Sequence, residues 1–178
     1  RGRASGRTYE IQRLIGRSIR SVVDLDMLGQ RTMWLDCDVV QADGGTRVAA
    51  ITGSFVAIAE ALNTLDTRQE IRSFSLKDSV AAVSVGIVDN HILLDLNYDE
   101  DTNALVDMNV IMTGKKRIVE IQGTAEHKPF SREEMDQMMS MAEMGIEILT
   151  EKQRAVLGEE IWGKISSSNE EQGQICGI

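Results

Sequence analysis

The chain predicts a mixed α/β domain of the α+β kind, with helices covering a largely antiparallel sheet. Three observations carry this. Apolar residues recur at helical spacing in three long stretches, which open near Thr8, Thr46 and Met135. Between the second and third stretches the pattern changes to period two, in four runs joined by short polar turns. A strand-like run and a double-glycine turn, Asp43-Gly44-Gly45-Thr46-Arg47, separate the first two helices. The order is therefore α, β, α, four strands, α.

The elements follow in order. Ile11, Leu14, Ile15, Ile19, Val22 and Val23 form the stripe of a helix from Thr8 to about Leu28, with Gly29 as its stop. Arg13, Arg17 and Arg20 lie on another face of it. Leu35, Cys37 and Val39 alternate with Trp34, Asp36 and Asp38, predicting a strand over Thr32 to Gln41. A second helix runs from Thr46 to about Leu65, and residues 66–78 form a polar connection. Val80 to Val88 is apolar enough for a buried strand. Asp89-Asn90 turns the chain into a strand from His91 to Tyr98. Two more strands, Leu105 to Thr113 and Arg117 to Thr124, flank Gly114-Lys115-Lys116. Ser131 and Glu134 have capping-box spacing before a helix to about Leu157, with Met135, Met138, Met139, Ala142, Ile146 and Leu149 inward. Residues 1–157 thus form one domain, and 158–178 read as a polar, disordered tail.

Composition bounds the function. An apolar share of 42% supports a real core, but with three Phe, two Trp and two Tyr it must be built from aliphatic residues and nine Met. The net charge of -9 argues against general nucleic-acid affinity. Residues 1–31 nevertheless hold seven Arg against Glu10, Asp24 and Asp26, a pattern suited to a localised polyanion contact. The plain alternative is a solvated basic helix face. Cys37 and Cys176 make neither a disulfide framework nor a metal set. Cys37 is expected in the core and Cys176 at the surface. No apolar run approaches the roughly 20 residues of a membrane span, and no membrane partner is expected. No signal-peptide pattern is present, so a reducing cytoplasm is the expected compartment.

Two places could carry chemistry. In the glycine turn, paired glycines let the backbone approach a ligand closely, and Thr46 can cap the helix. Arg47 beside a helix N-terminus completes an anion site, with phosphate the usual occupant. The alternative is a tight turn with a surface arginine. The second place is acidic: Asp99-Glu100-Asp101 in a connection, then Asp107 near a strand start. Hard divalent cations often take only one or two carboxylates plus substrate phosphates. A two-residue hairpin at Gly114-Lys115 would set Asn109 opposite Glu120 and Asp107 opposite Gln122, all on one face; a loop one residue longer would break that agreement. No nucleotide-binding glycine loop, zinc-protease helix or serine elbow is present. His91 and His127 read as surface residues, and the Met-rich helix face as core packing.

Several stretches carry a resemblance: Ser5-Gly-Arg-Thr8 with Glu10-Ile-Gln-Arg-Leu-Ile-Gly16, Asp36-Cys-Asp38, and Gln41-Ala-Asp-Gly-Gly-Thr-Arg47. To these are added Ala82-Val-Ser-Val-Gly86, Leu93-Leu-Asp-Leu-Asn-Tyr98, Val106-Asp-Met-Asn-Val110, Gln122-Gly-Thr-Ala-Glu126 and Phe130-Ser-Arg-Glu133. From about Ser5 to Leu157 the chain resembles the bacterial ribonuclease PH family. That resemblance implies a phosphorolytic 3′→5′ exoribonuclease that trims tRNA precursor 3′ ends and releases nucleoside diphosphates. It puts phosphate on Arg7, Gly45, Thr46 and Arg47, and Mg²⁺ (or Mn²⁺) on Asp101 and Asp107. Inorganic phosphate is the co-substrate, RNA the partner, and a hexameric ring, a trimer of dimers, the assembly. Arg1, Arg3 and Arg17 become candidates for holding the RNA backbone. Members of the family carry a further β-rich segment ahead of Ser5, so the domain is expected to be N-terminally incomplete. Two other readings stand beside this one: a non-catalytic RNA-binding or structural ring subunit of the same fold, and an inactive fragment. A small-molecule kinase is set aside for want of an ATP-binding glycine loop.

Overall fold

The computed structural model describes residues 6–126 and 128–167. Its elements are α1 (Gly6–Val22), α2 (Thr46–Thr67), β1 (Val80–Val88), β2 (His91–Leu94), α3 (Tyr98–Asn103), β3 (Val106–Thr113), β4 (Ile118–Ala125) and α4 (Arg132–Ser167). The four strands form one antiparallel sheet in the order β2-β1-β3-β4. The mixed fold with a helix-covered antiparallel sheet is therefore present. Alternation along β1 explains its apolar run. Val80 and Ala82 join α1 and α2 in one core, while Ala81, Val83, Val85 and Ile87 face α4 in a second. Both faces of the strand are covered, so neither needs polar residues.

α2 seats Ile51, Phe55, Ile58 and Leu62 in the first core, all essentially inaccessible. This helix spans 22 residues, and an 18-residue stretch of it has a mean hydropathy of 1.5, enough by length and composition to cross a membrane. That revises the expectation of no such run; its apolar stripe here packs inside the domain. α4 opens with the expected capping box: Ser131 Oγ accepts from Glu134 N–H, and Glu134 Oε2 accepts from Ser131 N–H. Its first half seats Met138, Ala142 and Ile146 in the second core. Beyond, Leu157 and Ile165 seal the first. A break at Gly158 (φ 73°, ψ 165°) lies between those two residues, in a conformation open essentially to glycine.

Several boundaries move. The Thr32–Gln41 strand is absent: the run is unpaired among the described residues, because a strand needs a partner ladder. Trp34 is 89% and Val40 96% exposed there, and Cys37 is exposed rather than in the core, its Sγ 3.4 Å from Ser54 Oγ. α1 ends at Val22, since Val23 leaves to bridge Leu76. β2 stops at Leu94, and α3 occupies what was expected to be the end of that strand and a loop. Residues 158–167, expected in the tail, belong instead to α4, which runs to Ser167. Residues 168–178, including Cys176, lie outside the described residues, as do Arg1, Arg3, Ser5 and His127.

The β3–β4 hairpin shows why faces survive a register error. Thr113 N–H bonds Arg117 O, so the loop is Gly114-Lys115-Lys116, one residue longer than expected, with Lys116 left-handed at φ 61°. An irregularity beside Ile111/Met112 adds a second residue on β4. Asp107 consequently lies opposite Thr124, and Asn109 opposite Gln122. Two extra residues restore the parity that one would break.

Candidate active site

The face of the sheet toward α1 and α2 is apolar at one end and polar at the other. Val80, Ala82 and Ile111 belong to the first core. Further along come Ser84 and Gly86 on β1, which lie opposite Asn109 and Asp107 on β3. Gln122 and Thr124 of β4 continue the row. Ser84 and Asn109 are buried, at 2% and 6% exposed, Asp107 and Gln122 are half-buried, and Thr124 at the edge is exposed, so the row runs from the interior out to solvent.

Above it stands the glycine turn. Gly45 is the N-cap of α2 in the left-handed region (φ 70°), and no side chain caps the helix. Thr46 is thus the first helical residue rather than the cap. The first N–H groups of α2 are accordingly open to an external acceptor. A Cβ on Gly44 would lie 1.9 Å from Leu96 O, and one on Gly45 would meet Val48, Ser84 and Asp95. The turn is therefore packed directly on the β2–α3 connection, where only glycine fits at position 44.

Arg47 extends from the first turn of α2, 30% exposed, with Glu10 of α1 at 3.5 Å. Arg7 is exposed in the first turn of α1, three residues before Glu10 and so on a neighbouring part of that helix face. Asp101 rides on α3, whose start is fixed by a capping box: Asn97 Oδ1 accepts from Glu100 N–H and Glu100 Oε2 from Asn97 N–H. Asp107 is half-buried at the start of β3, with Oδ1 enclosed and lacking a hydrogen-bond partner among the described residues. Burial, then the charge of Asp101, push its carboxyl above the usual carboxylate range; Arg47 opposes them and Glu126 adds to them. Arg47, Asp101 and Asp107 therefore share one electrostatic environment, although they come from α2, α3 and β3. Arg17 pairs with Glu120 on β4 at 2.7 Å, and Glu120 in turn accepts from Gln122 Nε2 at 3.0 Å.

No group of three or more His, Cys, Asp and Glu is gathered among the described residues as a metal cluster. The residues present still fit a hard divalent cation. Two carboxylates suffice when substrate phosphates complete the oxygen shell. The enclosed Asp107 Oδ1 is an acceptor in want of a partner. Glu10, Asp43 and Glu126 were given no role by the sequence reading. Asp43 before the glycines had a legible signal, because Asp side chains often bond the backbone of the turn they open.

Comparison with known proteins bears on this arrangement. Residues 1–62 match the model of the 3′ exoribonuclease family, domain 1, and residues 78–145 match its domain 2. The chain is 58% identical to Ribonuclease PH of Moorella thermoacetica over 170 residues, covering 96% of this chain and 68% of that protein. Against Ribonuclease PH of Bacillus subtilis identity is 56%, over 90% of this chain and 66% of that one. The chain belongs to the ribonuclease PH family. It spans about two thirds of the length of these relatives. Ribonuclease PH enzymes are phosphorolytic exoribonucleases, nucleotidyltransferases that use phosphate as substrate. Solved structures agree on the fold. Rice (Oryza sativa) Rrp46 superposes at a TM-score of 0.65 and 17% identity, over 88% of this chain and 68% of that one. An Archaeoglobus fulgidus exosome with RNA bound to the active site gives 0.62 and 19%, over 85% and 63%.

Proposed function

We propose that this chain is a phosphate-dependent 3′→5′ exoribonuclease that trims tRNA precursor 3′ ends in the cytoplasm, within a hexameric ring. One observation carries the reading: Arg47 at the start of α2 and Asp101 on α3 both act on the half-buried Asp107 at the start of β3, at the polar end of one sheet face. Phosphate and a phosphodiester repel each other, so positive charge must hold them together. Arg7, Arg47 and the N–H groups of Gly45 and Thr46 would bind and orient the phosphate. Its oxygen attacks the last phosphodiester phosphorus, and the bond from that phosphorus to the preceding 3′ oxygen breaks. The proton of the attacking phosphate is lost and the departing oxygen gains one, leaving a nucleoside diphosphate and an RNA one residue shorter. Asp101 and Asp107 would hold Mg²⁺ (or Mn²⁺), which when bound supplies positive charge to the reacting oxygens.

The test is a tRNA with a short 3′ extension, incubated with Mg²⁺ with and without inorganic phosphate. Shortening that requires phosphate and yields nucleoside diphosphates is expected. Arg47→Ala should lower it by about 10²–10³ while the circular dichroism spectrum is unchanged; undiminished activity in that variant rejects the phosphate site. A non-catalytic RNA-binding subunit of the same fold is the second reading. The run around Trp34 and Val40, exposed and unpaired among the described residues, favours its structural form, a ring subunit, as a surface suited to a protein partner.

A further inference from the structure

Asp43 lies beside the proposed chemistry, and both halves of the site are tied to it. Its Oδ1 accepts from the N–H of Gly44 at 2.8 Å and from the N–H of Tyr98 at 2.7 Å. Gly44 opens the glycine turn; Tyr98 is the first residue of α3. Both bonds are charge-assisted, and they hold the Asp43 carboxyl below its ordinary range. The close approach of Gly44 to Leu96 O lets the two segments come within reach of one side chain. From Tyr98 the path to the acidic pair is short. Asp101 N–H bonds Asn97 O at 2.8 Å, so Asp101 moves with the start of α3. The N–H of Tyr98 is an orphan donor of that helix, which Asp43 satisfies from across the site.

We propose that Asp43 is a positioning residue: it latches α3 to the glycine turn and so sets the spacing between the Gly45–Arg47 phosphate cradle and Asp101. This rests on the phosphate and cation assignments above. Asp43 touches neither ligand in that scheme, so its effect falls on how one ligand helps the other to bind. Asp43→Ala removes the acceptor; Asp43→Asn keeps an oxygen in its place.

The experiment is titration calorimetry of inorganic phosphate into the whole chain, with and without Mg²⁺, for the parent and both variants. Amide hydrogen exchange is followed on the same samples without ligands. In Asp43→Ala the enhancement of phosphate affinity by Mg²⁺ falls about tenfold, and protection drops together at Gly44, Tyr98 and the rest of α3. Asp43→Asn keeps the enhancement within about twofold of the parent. A general loss of stability would weaken binding with and without Mg²⁺ alike, leaving their ratio unmoved; that result overturns the latch. An Asn variant as impaired as the Ala variant overturns it as well, since the charge rather than the bond would then be at work. If the parent binds no phosphate, the functional reading fails and the exchange data alone decide. Joint loss of protection at the turn and α3 in Asp43→Ala then sustains the latch, and unchanged protection rejects it.

Discussion

At Asp107, burial and the charge of Asp101 raise the affinity of the carboxyl for a proton, against the pull of Arg47. Unfolded, the group titrates near 3.8; folded, it titrates higher. The native state thus binds the proton more tightly. The favourable contribution is whole below the unfolded value and is lost as pH rises through the folded one. At neutral pH and without a divalent cation, the fold therefore bears the cost of this carboxylate. Asp107→Asn should raise the melting temperature at pH 7 and lose that advantage below about pH 4. The same variant should lower phosphorolysis by about a hundredfold or more. Melting curves across pH check the first statement; no gain at pH 7 would contradict it. Mg²⁺ should stabilise the parent and leave the variant unmoved. Arg47, Asp101 and Asp107 were legible in the sequence as residue types in suggestive places. The pairing of Arg47 with Glu10 and the latch role of Asp43 were not, because contacts between distant segments leave no periodic trace.

Among elements, the glycine turn tolerates change least. Gly44→Ala would drive a Cβ into Leu96 O. A loss of about 1–3 kcal/mol in a urea titration is expected. The β3–β4 hairpin makes a second prediction. Deleting Lys115 should leave a two-residue loop, Gly114-Lys116, with Thr113 still opposite Arg117, so β4 should keep its faces and the denaturation midpoint should move little. The apolar periodicity of α2, β1, β3, β4 and α4 was plain in the sequence. α3 was hidden despite its Asn97–Glu100 capping box, since the apolar run of β2 leads straight into it. The Thr32–Gln41 run alternates like a strand yet has no ladder among the described residues. Local pattern records a preference, while pairing depends on a neighbour.

For the whole molecule, α4 joins the two cores. Gln153 is 2% exposed, and its Nε2 donates to Thr52 O at 3.1 Å and Val80 O at 3.0 Å, tying α4 to α2 and β1. Gln153→Ala should cost about 1–3 kcal/mol, since two carbonyls lose this buried donor. Far-ultraviolet circular dichroism and the fluorescence of Trp162, which packs edge-on against Phe55, should report one coincident transition; separate transitions would mean that the cores melt apart. Sequence periodicity foretold a helix over the sheet. It did not foretell that the helix continues past a break at Gly158 and serves both faces, because Gly158 and the polar residues after it read as the start of a tail.

That arrangement bears on synthesis. Most of the first core comes from residues 14–62, but Leu157 and Ile165 complete it, and Lys164 reaches back to Asn63 and Asp66. Contacts of such sequence span close late. A ribosome-bound chain has to carry the apolar stripe of α2 unsealed until its last helix has emerged, which is the interval in which a chaperone would find it.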